Sequence, residues 1–195
     1  MNNHWIQGAF AVVIMFVSVN AQALDCEEKS PGLIQLGDDY YNLEQNIALT
    51  RQQKAGVTAL FSALNHHLQG TAVVIDCVNN NGSFQQISQN QQLKATVNVD
   101  ADGKVAIALN VYIPDQKNGF DEIIEYLNAN TTYLLNELTD SKMQVVTKFR
   151  RVNSANLSSL HETVADIQVD NGVLNIRSTL YINGYFGQSR TFQLK

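Results

Sequence analysis

Alternation of apolar and polar residues, broken by dipeptides suited to tight turns, constrains this chain most. Leu93, Ala95, Val97 and Val99 alternate with Lys94, Thr96, Asn98 and Asp100, and beyond Asp102-Gly103 the pattern resumes at Val105, Ile107, Leu109, Val111 and Ile113 before Pro114. Successive strand side chains point to opposite faces, so such runs bury one face and wet the other. Residues 71–78 form a short apolar run suited to a buried strand, and further strands are expected over 143–152, 159–169, 173–182 and 185–194. Asn171-Gly172 and Asn183-Gly184 separate the last three. Asn-Gly tolerates the positive φ that a two-residue hairpin turn demands.

The final hairpin fixes its own register. A two-residue turn pairs Ile182 with Tyr185, but simple counting from there sets Leu174 and Ile176 on the face opposite Phe192 and Leu194. One extra residue in the second strand brings Ile176 against Phe192 and Leu174 against Leu194, and Gly187 is the natural place for that bulge.

Two stretches repeat with helical spacing. Tyr40, Leu43, Ile47, Val57, Phe61, Leu64 and Leu68 lie three or four residues apart or at sums of those steps, which places them on one helix face. Asp38 or Asp39 suits the start of that helix and Gly70 its end, with Gly56 a site for a kink. Phe120, Ile124, Leu127, Leu134 and Leu138 predict a second helix, with Asp121, Glu122 and Glu125 near its positive end. Between strands, residues 79–92 are dominated by Asn and Gln and read as a polar loop or hairpin. The expected architecture is therefore α+β: a single antiparallel sheet of six to seven strands packed against two long amphipathic helices, in the order α-βββ-α-ββββ.

The amino terminus carries an address. Residues 8–19 (GAFAVVIMFVSV) have the length of a signal-peptide core and are followed by Ala21-Gln22-Ala23, a small-x-small cleavage pattern. Residues 1–23 are read as a cleaved signal peptide and 24–195 as one domain, exported to a periplasmic or extracellular space. Export places Cys26 and Cys77 under oxidising conditions, where two cysteines predict one disulfide. Asp25 before Cys26 argues against acylation, because a small residue normally precedes a lipidated cysteine. No later stretch reaches transmembrane length, so no stable membrane span is expected.

Little in the chain points to catalysis. A net charge of −5 excludes the basic footprint that nucleic-acid binding requires. His66 and His67 are adjacent, so they cannot chelate one ion as a helical i, i+4 pair would. His161 and Glu162 fall on opposite faces of a strand and cannot act as base and orienter. Asp100, Asp102 and Gly103 resemble part of a calcium loop but lack its later glutamate, so a hairpin turn explains them better. Lys148, Arg150 and Arg151 are split by alternation, and Asp76, inside an apolar run, is an acid whose burial matters. Neither nucleophile elbow, phosphate loop nor dinucleotide fingerprint occurs, and no cofactor or metal is expected. Tyr185 and Phe186, just after the last turn, are the residues suited to holding a partner. The expectation is a non-catalytic binding protein for an apolar or amphipathic ligand held between sheet and helices. The alternative is a protein-interaction module, such as an envelope assembly factor, inhibitor or secreted effector, using loops or a sheet edge.

Overall fold

The computed structural model describes residues 26–32 and 48–195. The export signal expected over 1–23, and Asp38, Asp39, Tyr40, Leu43 and Ile47 of the first expected helix, lie outside the described residues. One helix, α1 (Arg51–Ser62), precedes nine strands: β1 (Leu68–Asn80), β2 (Ser83–Val99), β3 (Val105–Ile113), β4 (Asn118–Tyr126), β5 (Thr132–Leu138), β6 (Lys142–Val152), β7 (Ser158–Asp170), β8 (Val173–Ile182) and β9 (Tyr185–Leu194). They form a single antiparallel sheet in the order β4-β3-β2-β1-β9-β8-β7-β6-β5. Two meanders, β1–β4 and β5–β9, are thus joined by one seam between β1 and β9, and the sheet curls into a half-barrel that stays open between β4 and β5.

The expected six or seven strands and two long helices are corrected: among the described residues there are nine strands, one short α-helix and a 3-10 turn at Pro114–Gln116. The stretch read as a second helix is β4 and β5. A spacing of four residues, as between Phe120 and Ile124, satisfies a helix face and an alternating strand alike. Here Phe120, Glu122, Ile124 and Tyr126 share one strand face, and the β-branched pairs Ile123-Ile124 and Thr131-Thr132 favour the extended chain. In the first stretch only Val57, Leu60 and Phe61 of the described helix are buried. Leu68 and Gly70 belong to β1 instead, and the helix runs unbroken through Gly56. Of the two forms expected for the Asn/Gln-rich tract, loop or hairpin, the structure has the hairpin: Asn79 pairs with Phe84 and Ser88 with Ile75 in a long β1–β2 ladder. Its ladder bonds come from the backbone, which explains why a polar sequence can extend a sheet past its core.

Local chemistry fixes α1. Thr50 accepts from the Gln53 backbone N–H at 3.2 Å while the Gln53 side chain accepts from the Thr50 backbone N–H at 2.9 Å, a reciprocal cap. Lys54 Nζ lies 2.8 Å from Asp102 in the β2–β3 turn, so the helix starts against that turn. Asp100 Oδ1 accepts from the backbone of Asp102 and Lys104 there, which makes the acidic motif a hairpin turn. The buried helix face belongs to one core cluster with Leu68, Ile107, Met143, Ile167, Leu174 and Phe192 of the concave side of the sheet. At about 25 cal/mol per Å² of apolar area, that single layer is the main favourable term in folding.

The last hairpin has the expected register. Leu174 faces Leu194, Ile176 faces Phe192 and Ile182 faces Tyr185, with the shift between Leu180 and Tyr181 that leaves Gly187 as the extra residue. At the seam, Gly70 faces Leu194, and a Cβ there would overlap the Gln193 carbonyl oxygen. Gly70→Ala should therefore force β1 from β9 and cost at least about 3 kcal/mol. An unfolding free energy from urea titration within about 0.5 kcal/mol of wild type would show that the seam tolerates the extra carbon.

The expected disulfide is present. Cys26 and Cys77 are bonded with their Cα atoms 5.7 Å apart. Around it, residues 26–32 lie against the start of β9: Phe186 N donates to Glu28 O and Ser30 N to Gly184 O, each at 2.8 Å. Replacing both cysteines by serine should lower unfolding free energy by about 2–4 kcal/mol in urea. An unchanged midpoint would mean that the clamp holds without its covalent closure.

Candidate binding site

Register assigns every strand residue to a face, and the two faces differ. On the concave face the end nearest α1 is closed by core side chains, among them Val105, Ile107, Met143, Ile167 and Leu174. Toward the other end, where the β1–β2, β3–β4, β6–β7 and β8–β9 turns lie, the described helix no longer covers the sheet. Ile87, Phe120, Phe149, Ile182 and Tyr185 are all inward by register, yet each is between 37% and 53% exposed. An open concave wall carrying large apolar side chains is the usual lining of a ligand site.

A charged pair crosses this space. Arg190 of β9 donates from Nη1 and Nη2 to the two carboxylate oxygens of Glu122 of β4, at 2.8 and 2.7 Å. Four strand spacings separate β9 from β4, about 19 Å in a flat sheet. A bidentate contact over that distance requires the sheet to curl until the two strands face each other. Phe192 supports the guanidinium from below, 4.9 Å from its ring centre. Arg190 is the more enclosed partner, its side chain 14% exposed against 32% for Glu122.

Three buried polar atoms on the inner face have no hydrogen-bond partner among the described residues. They are Arg190 Nε, Tyr126 Oη and Gln91 Oε1, each buried. Burial drives the Tyr126 phenol far above its ordinary range, with Arg190 opposing and Glu122 reinforcing the shift, so it remains a neutral O–H donor. Buried polar groups normally find partners, so each of these atoms is an unmet hydrogen-bonding capacity on the inner face. Farther out, Gln188 Nε2 donates to Asp76 Oδ1 at 2.7 Å, which accounts for the half-buried acid in the apolar run. Toward the open end the concave wall carries Gln188 and Arg190 of β9, Asp76 of β1 and Gln89 and Gln91 of β2 beside the apolar Val74 and Ile87, while β6 and β8 contribute Phe149, Leu180 and Ile182.

The structure separates the residues singled out from the sequence. Tyr185 is exposed at the rim, 52% accessible, while Phe186 is 3% exposed on the outer face against the amino-terminal clamp, so the pair is not one surface. His66 and His67 are exposed in the bend before β1 rather than on a helix. His161 and Glu162 do point to opposite faces. His161 stacks on Phe149 at 5.0 Å and its Nε2 lies 2.9 Å from Ser159 Oγ. Glu162, on the outer face, meets Lys148 Nζ at 2.7 Å, both nearly fully buried, and accepts from Ser30 of the clamp. Of the sequence's basic cluster, Lys148 is therefore consumed by a buried ion pair while Arg151 is exposed near the rim. Among the described residues, no group of three or more His, Cys, Asp or Glu could hold a metal ion, and no helix is long and apolar enough to cross a membrane.

Sequence reasoning missed Arg190, Glu122, Gln91 and Tyr126. A signal for the first was present: counting back by two from the inward Leu194 and Phe192 lands on Arg190, a cation in a core register. Glu122 was hidden by reading its strand as a helix. No family model matches the chain, and no curated protein is similar enough to count as a relative.

Burial and the charge of Arg151 lower the His161 pKa below 6.5. The unfolded chain then takes up this proton at higher pH than the folded one, so the contribution is whole above about pH 6.5 and is lost as pH falls through the folded value. In His161→Gln, the thermal midpoint should fall less between pH 7 and pH 5 than in wild type. Parallel profiles would show that His161 does not set the acid sensitivity.

Proposed function

We propose that this protein is an exported, non-catalytic binding protein that holds an amphipathic small ligand in the open half of its concave sheet. One observation carries the reading: large apolar side chains from β2, β4, β6, β8 and β9 stand exposed on the inner wall beyond the helix. Leaving such groups in water is unfavourable by about 1.5–3 kcal/mol per fully buried side chain relative to covering them. A ligand that covers several of them gains that energy. The disulfide suits an oxidising compartment, in keeping with the export signal expected in the sequence.

The ligand differs in place from the sequence expectation. It lies within the curl of one sheet rather than between a sheet and two helices. A second reading, strand addition by a partner peptide, is favoured by the free edge of β4, where Ile123 is 68% exposed.

The neutral fluorophore N-phenyl-1-naphthylamine tests the first reading. Its emission should rise on binding the full-length mature protein. Ile182→Asn, at a position already 37% exposed, should weaken that binding by about tenfold without lowering the thermal midpoint appreciably. Equal binding by the variant, or no binding by wild type, would contradict the reading.

A further inference from the structure

Resting on that reading, we propose that the ligand is an anionic amphiphile whose head group displaces Glu122 and takes over the guanidinium of Arg190. The two ends of the bridge are not equivalent. Arg190 stands on β9, paired on both sides by β1 and β8, and Phe192 holds its guanidinium from one face. Glu122 stands on β4, which is paired only to β3, and its side chain is a third exposed. Glu122 is the partner that can swing into water and recover its hydration, while Arg190 is fixed.

Exchange of one carboxylate for another keeps the two charge-assisted hydrogen bonds, so the head group costs little to seat. An arriving anion also meets Arg190 Nε, a donor that Glu122 leaves unused. A cationic head group would instead have to bind Glu122 and strand the enclosed Arg190 without a counter-charge, at a cost of several kcal/mol.

The apolar tail then has a defined path. Outward from Arg190 the inner face of β8 offers Leu180 and Ile182. Five residues of β9 separate Arg190 from Tyr185 at the rim, about 16 Å of strand, which suits an acyl chain of medium length. Affinity comes from tail burial, and Arg190 selects the sign of the head group.

Calorimetric titration with dodecanoate, dodecan-1-ol and dodecyltrimethylammonium, each below its micelle concentration, tests this. Dodecanoate should bind wild type about tenfold or more tighter than dodecan-1-ol, and the ammonium weakest. Arg190→Gln should remove the preference while leaving dodecan-1-ol within about twofold, and Glu122→Gln, which abolishes the competing carboxylate, should tighten dodecanoate severalfold. Glu122 lies on an edge strand, so its variant answers the question even if Arg190→Gln fails to fold. Equal affinity for the alcohol and the acid, or a preference unchanged in both variants, overturns the head-group assignment while the site stands. Failure of all three amphiphiles to bind overturns the site itself.

Discussion

Pairing of β1 with β9 is the contact on which this molecule depends. It is the sole ladder between the β1–β4 meander and the β5–β9 meander. It brings together residues as far apart in sequence as Asp76 and Gln188, separated by 112 positions. Closing such a loop costs entropy before any contact offsets it. The seam recovers that cost through burial: Ala72 faces Phe192 across it, and Gly70 faces Leu194 with no room for a side chain. Because β9 is central rather than terminal in the sheet, a residue on its inner face is held rigidly. That is how Arg190, near the carboxyl end of the chain, comes to stand fixed over the concave space.

The two faces of β6–β9 answer different needs. Inside, apolar residues continue past the reach of the helix and remain uncovered. Outside, directly paired positions Thr132, Lys148, Glu162 and Tyr181 are all buried. There the Lys148–Glu162 pair is enclosed and receives the Ser30 hydroxyl from the clamp. A buried ion pair contributes less to stability than to arrangement, since either charge left alone would be strongly unfavourable. The disulfide and the backbone bonds of Glu28 and Ser30 hold that clamp against β9. The clamp thus covers the outer face near the start of β9, while apolar residues of the inner face stay exposed.

Much of the sheet was legible in the residues. Alternation from Leu93 to Ile113 and the Asn-Gly turns gave hairpins where they occur, and the conflict between Ile176 and Phe192 located a bulge at Gly187. The failures have one physical source, which is that a period of four satisfies both helix and strand. Phe120 and Ile124 fit either, and only pairing with Val111 and Ile107 decides the matter. The tract around Asn90 is left open between loop and hairpin by its polar side chains, and its backbone ladder makes it a hairpin. Of the site, Tyr185 was visible as an exposed aromatic. Arg190 and Glu122 were not, because their meeting depends on how strongly the sheet curls, and no local pattern in either strand encodes that.

The central claim is that a ligand lies inside the curl. A nuclear magnetic resonance titration of the mature protein with dodecanoate, followed through assigned backbone and methyl resonances, tests it most directly. The account predicts saturable shifts at Ile87, Phe120, Leu180, Ile182 and Arg190, with the core beneath α1 unmoved. Shifts confined to the outer groove of about 760 Å³ lined by Val73, Asp166, Arg177 and Thr191, or to the free edge at Ile123, would contradict it.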